Sequence, residues 1–131
     1  MVGGVEAVIY LDTHTVVWLY AGETERLSAK ARAAVESQEL RISPMVLLEL
    51  QYLREIGRIS VKPEKIRTAL ALDLGLHVCA LPMADAVAAA LGMDWTRDPF
   101  DRLICGHAAA RNAGLVTKDE TLRAHFAKAI W

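Results

Sequence analysis

Four acidic residues of this chain occupy positions where a carboxylate is costly to bury. They are Asp12 after the apolar run AVIYLD, Glu49 within MVLLELQYL, Asp101 in DPFDRLICGHA, and Asp119 in GLVTKDE. A carboxylate placed among apolar side chains must be neutralised, hydrogen-bonded or bound to a metal, because desolvating an isolated charge is expensive. Hard cations such as Mg²⁺ and Mn²⁺ take oxygen ligands, so several acids together have the composition of a divalent-metal site.

Three of these acids also have an ordinary structural explanation. Asp12 and Asp119 each follow a strand-like run and precede a helix, where an aspartate commonly caps the helix N-terminus. Asp98 is expected to cap the helix that starts at Pro99, and Asp101 is placed to reach back to the amide of that cap. Considered one at a time, these three residues do not distinguish capping from metal binding.

Glu49 is the hardest of the four to explain by local structure. Its helix is apolar almost all round, so it offers little polar face on which a glutamate would be solvated. An ion pair with Arg54 is the structural alternative. Because carboxylates that lie close together raise each other's pKa unless a cation offsets them, the set as a whole favours a metal more strongly than any single member does.

The composition predicts one soluble domain spanning residues 1–131. Hydrophobic residues make up 53% of the chain and charged residues 24%, which is ordinary for a globular protein. The net charge of −1 provides no overall basic field, so any affinity for nucleic acid must come from a local patch. This balance argues against a tight, nonspecific DNA-binding protein.

The cysteines and the N-terminus indicate a cytoplasmic location. Cys79 and Cys105 lie in apolar runs without a CxxC or Cys/His cluster, and we expect buried free thiols rather than a disulfide or a zinc site. No secretory signal is visible at the N-terminus. No segment reaches the roughly 18 to 20 apolar residues that a membrane span needs.

Short apolar strands alternate with helices along the whole chain. Strands are predicted at 5–11, 40–43, 76–81 and 115–117, with a possible edge strand at 127–131. Helices are predicted at about 14–20, 28–37, 44–56, 63–75, 83–91, 99–113 and up to 126. This alternation predicts an α/β fold with a central, mostly parallel sheet of four to five short strands flanked by helices on both faces. Ligands of such sheets bind at the carboxyl ends of the strands, where the acids are expected to converge.

Four segments around these acids resemble the PIN-domain ribonucleases, and among them the VapC-type toxins of bacterial and archaeal toxin–antitoxin pairs. The segments are LDTHTVVWL (11–19), ISPMVLLELQYLREIGRI (42–59), DPFDRLICGHA (98–108) and LVTKDETL (115–122). The third is the most specific match. Their order and spacing agree with the family, and the resemblance covers nearly the whole chain.

The resemblance implies a PIN-like three-layer fold and a metal-dependent endoribonuclease that uses Mg²⁺, with Mn²⁺ as a substitute. The implied metal-binding and catalytic set is Asp12, Glu49, Asp101 and Asp119, with Asp98, Thr13 and Thr117 as accessory residues. A metal-activated water hydrolyses the RNA phosphodiester bond in such enzymes, without a covalent nucleophile. Arg97 and Arg102 are candidates to contact RNA phosphates, or else ordinary solvated charges at a helix end.

The resemblance also implies partners. We expect a cognate VapB-type antitoxin, whose C-terminal segment lies over the groove, and a homodimer formed through the apolar helices early in the chain. Two positions depart from the pattern: Leu48 replaces a common tryptophan, and the pair Gly106-His107 replaces small residues. Neither departure removes an acid, and we expect His107 to be a packing residue rather than a ligand.

Two other functions remain open at this stage. The first is a non-catalytic PIN-like interaction domain in which the acids serve as caps. The second is a haloacid-dehalogenase-type phosphatase, because LDTHT faintly resembles its DxDxT motif. His14 stands where that motif has its second aspartate, and no glycine-Asp loop follows Lys118. We therefore consider the phosphatase the weaker alternative.

Overall fold

The computed structural model describes residues 7–131, which form a five-stranded sheet with only parallel neighbours. The strands are β1 (Val8–Leu11), β2 (Glu39–Ile42), β3 (His77–Val78), β4 (Gly114–Val116) and β5 (Ala129–Ile130). Their order across the sheet is β3-β2-β1-β4-β5. Ile9, Tyr10 and Leu11 of the central strand are buried, as expected for a parallel sheet covered by helices.

Seven α-helices flank this sheet. They are α1 (Thr13–Ala21), α2 (Ala29–Ser37), α3 (Pro44–Glu55), α4 (Pro63–Leu74), α5 (Met83–Ala90), α6 (Pro99–Ala110) and α7 (Glu120–His125). A short 3₁₀ helix, Thr24–Arg26, was not predicted. Within residues 7–131 no helix has both the length and the apolar character that crossing a membrane requires. The predicted α/β fold with a parallel sheet and a fifth edge strand is confirmed.

Most helix ends follow from local sequence signals. Ser28 caps α2 by accepting a 3.0 Å hydrogen bond from the Ala31 amide, as its position predicts. Pro44 and Pro63 occupy the first turns of α3 and α4, where the missing N–H costs nothing. Gly22 ends α1 with φ of 74°, a left-handed conformation that glycine adopts without strain.

Several predicted boundaries were wrong. The strand predicted at 76–81 is reduced to His77–Val78. This strand lies at the edge of the sheet, and His77 within it and Ala80 after it are exposed, so the run is not fully buried. Helix α6 ends at Ala110 rather than 113, since Asn112 adopts a φ of 54°. Residues 5 and 6 of the first predicted strand lie outside the described part of the chain.

The two cysteines are buried free thiols, as predicted. Cys79 accepts a 2.8 Å hydrogen bond from the Tyr10 hydroxyl and lies at the end of β3. Its amide also continues the pairing with β2, through a 2.8 Å hydrogen bond to the Ile42 carbonyl. These contacts give Cys79 a structural role in holding the edge of the sheet.

Gly106 permits an unusually close approach of α5 and α6. Helix α5 packs chiefly against α6. A Cβ atom at Gly106 would lie 2.4 Å from the carbonyl oxygen of Ala86 and 3.2 Å from Ala90 Cβ. The backbone of α5 therefore occupies the space that any side chain at this position would need.

His107 joins α6 to the start of α3. Its ring is 1% exposed, and Nδ1 lies 2.8 Å from Ser43 Oγ and 3.2 Å from the Leu103 carbonyl oxygen. The same Ser43 hydroxyl oxygen caps α3 by accepting from the Met45 amide. Within residues 7–131, Nε2 of His107 is buried without a hydrogen-bond partner. His107 is thus a packing residue, as expected. It connects α6, which carries Asp101, to the start of α3, which carries Glu49.

Replacing Gly106 with alanine should destabilise the fold. Alanine favours a helix by about 1 kcal/mol over glycine, but the clash with the Ala86 carbonyl should cost about 1–3 kcal/mol through displaced backbone. The free energy of unfolding, measured by denaturant titration, should therefore fall. Gly92→Ala is the matched control, since its Cβ would meet nothing within 4 Å. Equal stability of the two variants would contradict this account of the packing.

Stability should also depend on the protonation of His107. Burial lowers the pKa of His107 below its ordinary value of 6.5, although the Leu103 carbonyl works in the opposite direction. As the pH falls from about 7 to about 5, the unfolded chain takes up a proton that the native state rejects, so acid should favour unfolding through this group. The free energy of unfolding of the wild type should fall relative to that of His107→Gln. Parallel curves for the two proteins would contradict the prediction.

Candidate active site

A cleft of about 470 Å³ opens at the carboxyl ends of the central strands. Asp12 directly follows β1, and its amide donates a 3.1 Å hydrogen bond to the Val116 carbonyl at the end of β4. The parallel register therefore brings these two strand ends together. All five acids named from the sequence line the cleft: Asp12, Glu49, Asp98, Asp101 and Asp119. Residues separated by more than 100 positions thus share one concave surface.

Asp12 and Asp119 are helix caps that also face the cleft. Asp12 Oδ1 accepts a 2.9 Å hydrogen bond from the Thr15 amide at the start of α1. Asp119 Oδ1 accepts one of the same length from the Leu122 amide in α7. Each of these hydrogen bonds uses only Oδ1 of its carboxylate, so capping does not require the second oxygen. Capping and metal binding are therefore compatible for the same side chain.

Asp98 caps the N-terminus of α6, and the side chain of Asp101 takes no part in this capping. Asp98 Oδ1 accepts hydrogen bonds from the amides of Phe100 and Asp101, at 2.8 and 3.2 Å. The predicted return contact from Asp101 is not formed, because the Asp98 amide donates instead to Thr96 Oγ1 at 3.2 Å. The carboxylate of Asp101 is thereby available to the cleft.

The electrostatics of the cleft are concentrated on Asp101. Partial burial raises its pKa to about 7, with the negative charges of Asp98, Asp119 and Glu49 contributing in the same direction. An aspartate with this pKa is only partly ionised near neutral pH when no positive charge compensates its neighbours. A bound cation would therefore strongly favour the ionised form of Asp101.

Glu49 is half-buried and hydrogen-bonded to the neighbouring helix. The Thr13 hydroxyl donates to its Oε1, linking α1 to α3. Burial raises the pKa of Glu49, and the hydrogen bond from Thr13 opposes that rise. Within residues 7–131 no ion pair joins Glu49 to Arg54. The structural alternative considered from the sequence is thus not formed.

The expected burial of the acids was only partly right. Asp12 is buried, at 8% exposure, but Asp119 is exposed. Helix α3 is also less enclosed than its composition indicated, since Tyr52 and Ile56 are 48% and 68% exposed. Burial raises the pKa of Asp12, whereas a hydrogen bond from Thr117 lowers it. Asp12 is therefore the desolvated, inner acid of the cleft, whereas Asp119 is accessible to solvent.

The donor chemistry of this cleft fits a hard divalent cation. Within the described residues, no three Asp, Glu, His or Cys side chains already form a complete metal-binding cluster. A shared ion therefore requires the carboxylates to turn toward one another. Oxygen donors are what Mg²⁺ and Mn²⁺ prefer, and a bound cation would oppose the rise in the pKa of Asp101 that burial and the neighbouring carboxylates cause.

The two arginines predicted as RNA contacts have different surroundings. Arg102 Nη2 donates to the carbonyl oxygens of Ala90 and Leu91, at 2.9 and 3.3 Å, and so binds the C-terminal end of α5. Arg97 is exposed. Neither is among the residues that line the cleft, and their contact with RNA stays a prediction.

Sequence reasoning missed three aromatic or basic residues of the cleft wall, besides the apolar Ile104 and Leu122. His14, Trp18 and Lys118 line it together with the acids. Two signals were available: Trp18 lies in the LDTHTVVWL segment, and Lys118 directly precedes Asp119. Their meeting at one wall depends on the contact between α1 and the loop after β4, which no local pattern reveals.

Comparison with known proteins places this geometry in a family. The sequence-family model of the PIN domain matches residues 9–126 of this chain. The chain is 34% identical over 119 residues to Ribonuclease VapC22 of Mycobacterium tuberculosis, covering 89% of this chain and 91% of the relative.

Solved structures share the fold at lower identity. A toxin-antitoxin complex from Klebsiella pneumoniae matches with a TM-score of 0.68 and 15% identity, covering 94% of this chain and 96% of that one. VapBC2 from Rickettsia felis, bound to a DNA fragment from its promoter, matches with a TM-score of 0.55 and 23% identity, covering 89% and 92%. The chain therefore belongs to the PIN-domain family, in its branch of VapC-type ribonucleases.

Proposed function

We propose that this VapC-type ribonuclease is the toxin of a toxin–antitoxin pair and hydrolyses RNA phosphodiester bonds with the help of a divalent metal. One observation carries the proposal: five carboxylates from distant parts of the chain line a single cleft. Partial burial, together with their like charges, raises the pKa of Asp101 to about 7. Such an arrangement costs stability, and a cation that binds RNA phosphate gives it a function.

Each residue of the cleft has a distinct task in this proposal. Asp12, Glu49, Asp101 and Asp119 would hold Mg²⁺, or Mn²⁺ in its place. When bound, such an ion activates a water and stabilises charge on the phosphate and the leaving oxygen.

Accessory residues set the positions of these acids. Thr13 orients Glu49 through its hydroxyl, and Thr117 does the same for Asp12. Asp98 fixes the first turn of α6 and thereby the direction of Asp101. Loss of an accessory residue should therefore disturb the geometry of the site without removing a metal ligand.

Two alternatives were open from the sequence. Membership of the PIN-domain family argues against the haloacid-dehalogenase-type phosphatase, whose DxDxT motif is not present here. A non-catalytic interaction domain would need no acids beyond the caps. Asp101 and Glu49 cap no helix, which favours the nuclease.

We also propose a cognate VapB-type antitoxin, a homodimer and a cytoplasmic location. Two of the matched solved structures are toxin–antitoxin or VapBC assemblies, and exposed large apolar residues lie on or directly after three helices of this chain, where a partner could cover them. These residues are Leu48 and Tyr52 on α3 with Ile56 directly after it, Leu72 and Leu74 on α4, and Met83 and Val87 on α5 with Leu91 directly after it. Light scattering of the chain alone, and of the chain co-expressed with its neighbouring gene, tests both assemblies. A monomer that captures no product of that gene would contradict them.

Removing either of two acids should abolish RNA cleavage. Glu49→Gln and Asp101→Asn remove proposed metal ligands at nearly constant size. Loss of groups that merely orient ligands costs up to about 100-fold, so loss of a ligand should reduce the rate by at least that factor. EDTA should have the same effect on the wild type, and excess Mg²⁺ or Mn²⁺ should restore cleavage. The measurement is cleavage of a labelled single-stranded RNA.

Matched controls separate this effect from general loss of charge. Glu55→Gln lies on the same helix as Glu49, and Asp73→Asn lies on α4; both residues are exposed and outside the cleft. Both controls should cleave like the wild type. Cleavage that survives EDTA and both cleft substitutions would refute the proposed function.

Mn²⁺ should stabilise the wild type more than it stabilises Asp12→Asn. Ligand binding to the native state raises the melting temperature by an amount that increases with affinity. Asparagine caps helices as well as aspartate does, so this substitution preserves α1 while removing the charge at the metal site. Thermal unfolding with and without Mn²⁺ measures the difference. An equal shift in both proteins would mean that Asp12 acts as a cap alone.

A further inference from the structure

One wall of the acidic cleft is aromatic and basic. Trp18 of α1 and Lys118 of the loop after β4 both line it. Lys118 Nζ lies 6.0 Å from the centroid of the Trp18 ring, within the range of a cation–π contact. The His14 ring lies 6.1 Å from the same indole, tilted by 41°. These groups stand next to the acids, because Lys118 precedes Asp119 and His14 is two residues after Asp12.

Lys118 carries a positive charge that its surroundings do not neutralise. Within residues 7–131 no carboxylate lies within salt-bridge distance of its Nζ atom. The second cation near the indole, Arg26, is 5.9 Å from the ring centroid but is already paired with Glu23 at 2.6 Å. Both Lys118 and Arg26 are exposed.

Trp18 has a structural role on its other side. Its side chain is half-buried, packs against the core and lies 6.1 Å from the Trp131 ring. Packing accounts for the buried part of the indole, but not for its place in the wall of the cleft beside two cations. The part that faces the cleft offers a flat apolar surface, and the Lys118 ammonium lies over the ring.

We propose that Trp18 and Lys118 form a nucleotide subsite beside the scissile bond. In this subsite one RNA base stacks on the Trp18 ring, and Lys118 contacts the phosphate of the same nucleotide. The inference rests on the proposed ribonuclease function and assigns the substrate contacts of that site. The five carboxylates of the cleft repel an RNA backbone. The net charge of −1 provides no overall attraction for RNA, so binding requires a local positive charge.

The chemistry of this wall favours RNA over a basic peptide. A base and its phosphate match an aromatic surface joined to a cation, as in other single-strand binding sites. A peptide would offer no phosphate for the Lys118 ammonium to contact. Stacking on Trp18 also requires a base that is free of its helical neighbours, so the substrate should be single-stranded at this nucleotide.

The test measures binding separately from cleavage. A short fluorescein-labelled single-stranded RNA of mixed sequence is titrated with protein in EDTA at low salt, and anisotropy gives Kd. Trp18→Leu should weaken binding by about 5- to 100-fold, the range for loss of one stacked base, and Trp18→Phe should be intermediate. Lys118→Met should reduce the slope of log Kd against log salt by about 0.7, the value for one phosphate contact with a single strand.

Matched controls are available on other surfaces. Trp95 is also half-buried and stacked, with its ring 5.2 Å from that of His125, but it does not line the cleft. Lys65 is an exposed lysine of α4. Trp95→Leu and Lys65→Met should bind RNA like the wild type, and melting temperatures verify that each variant is folded. If Trp18→Leu does not fold, the salt dependence of RNA binding by Lys118→Met tests the subsite instead.

The outcomes distinguish this inference from the function on which it rests. Equal binding by the cleft variants and their controls, or no binding by the wild type, would overturn the subsite. With Mg²⁺ present, the cleft variants should raise KM more than they lower kcat. Normal KM values in active cleft variants would contradict the subsite without contradicting the ribonuclease function. RNA binding that depends on Trp18 and Lys118, without any cleavage by the wild type, would support the subsite and refute the nuclease.

Discussion

Repulsion among five carboxylates is the constraint on which the rest of this structure depends. The acids line one cleft, and their charges together with burial raise the pKa of Asp101 to about 7. Backbone amides at the N-termini of α1, α6 and α7 offset part of this repulsion, because these partly positive helix ends point at the cleft. Hydroxyl groups contribute as well, since Thr13 and Thr117 bond to the two inner acids. The fold thus supplies part of the compensation that a cation would complete.

The parallel sheet and one buried contact determine which residues meet. Parallel pairing of β1 with β4 places Asp12 and Asp119 at the same edge. Glu49 and Asp101 come from helices, whose relative position is set by packing: His107 of α6 contacts Ser43 at the start of α3. Gly106, next to this histidine, lets α5 approach α6 closely. The Gly106-His107 pair, a departure from the family pattern, therefore serves the packing that positions the acids.

A structural and a functional explanation of an acid need not exclude each other. From the sequence, capping and metal binding were alternatives for Asp12, Asp119 and Asp101. In the structure, Asp12 and Asp119 cap helices through one oxygen and still face the cleft, since a carboxylate has two acceptor atoms. Asp101 is released from capping by Thr96, a residue to which the capping pattern had given no role. Local hydrogen-bond patterns identify candidate caps, but do not show what else a capping group contacts.

The amino-acid sequence by itself determined the elements, the parallel sheet and the five acids, because periodicity, proline and glycine positions and capping residues act over a few neighbouring residues. The tertiary structure alone decided the short β3, the exposure of Asp119, the partner of Glu49 and the presence of Trp18 and Lys118 in the cleft. These properties depend on distances between residues far apart in the chain. Burial, charge interactions and pKa values change with such distances, and no local pattern encodes them.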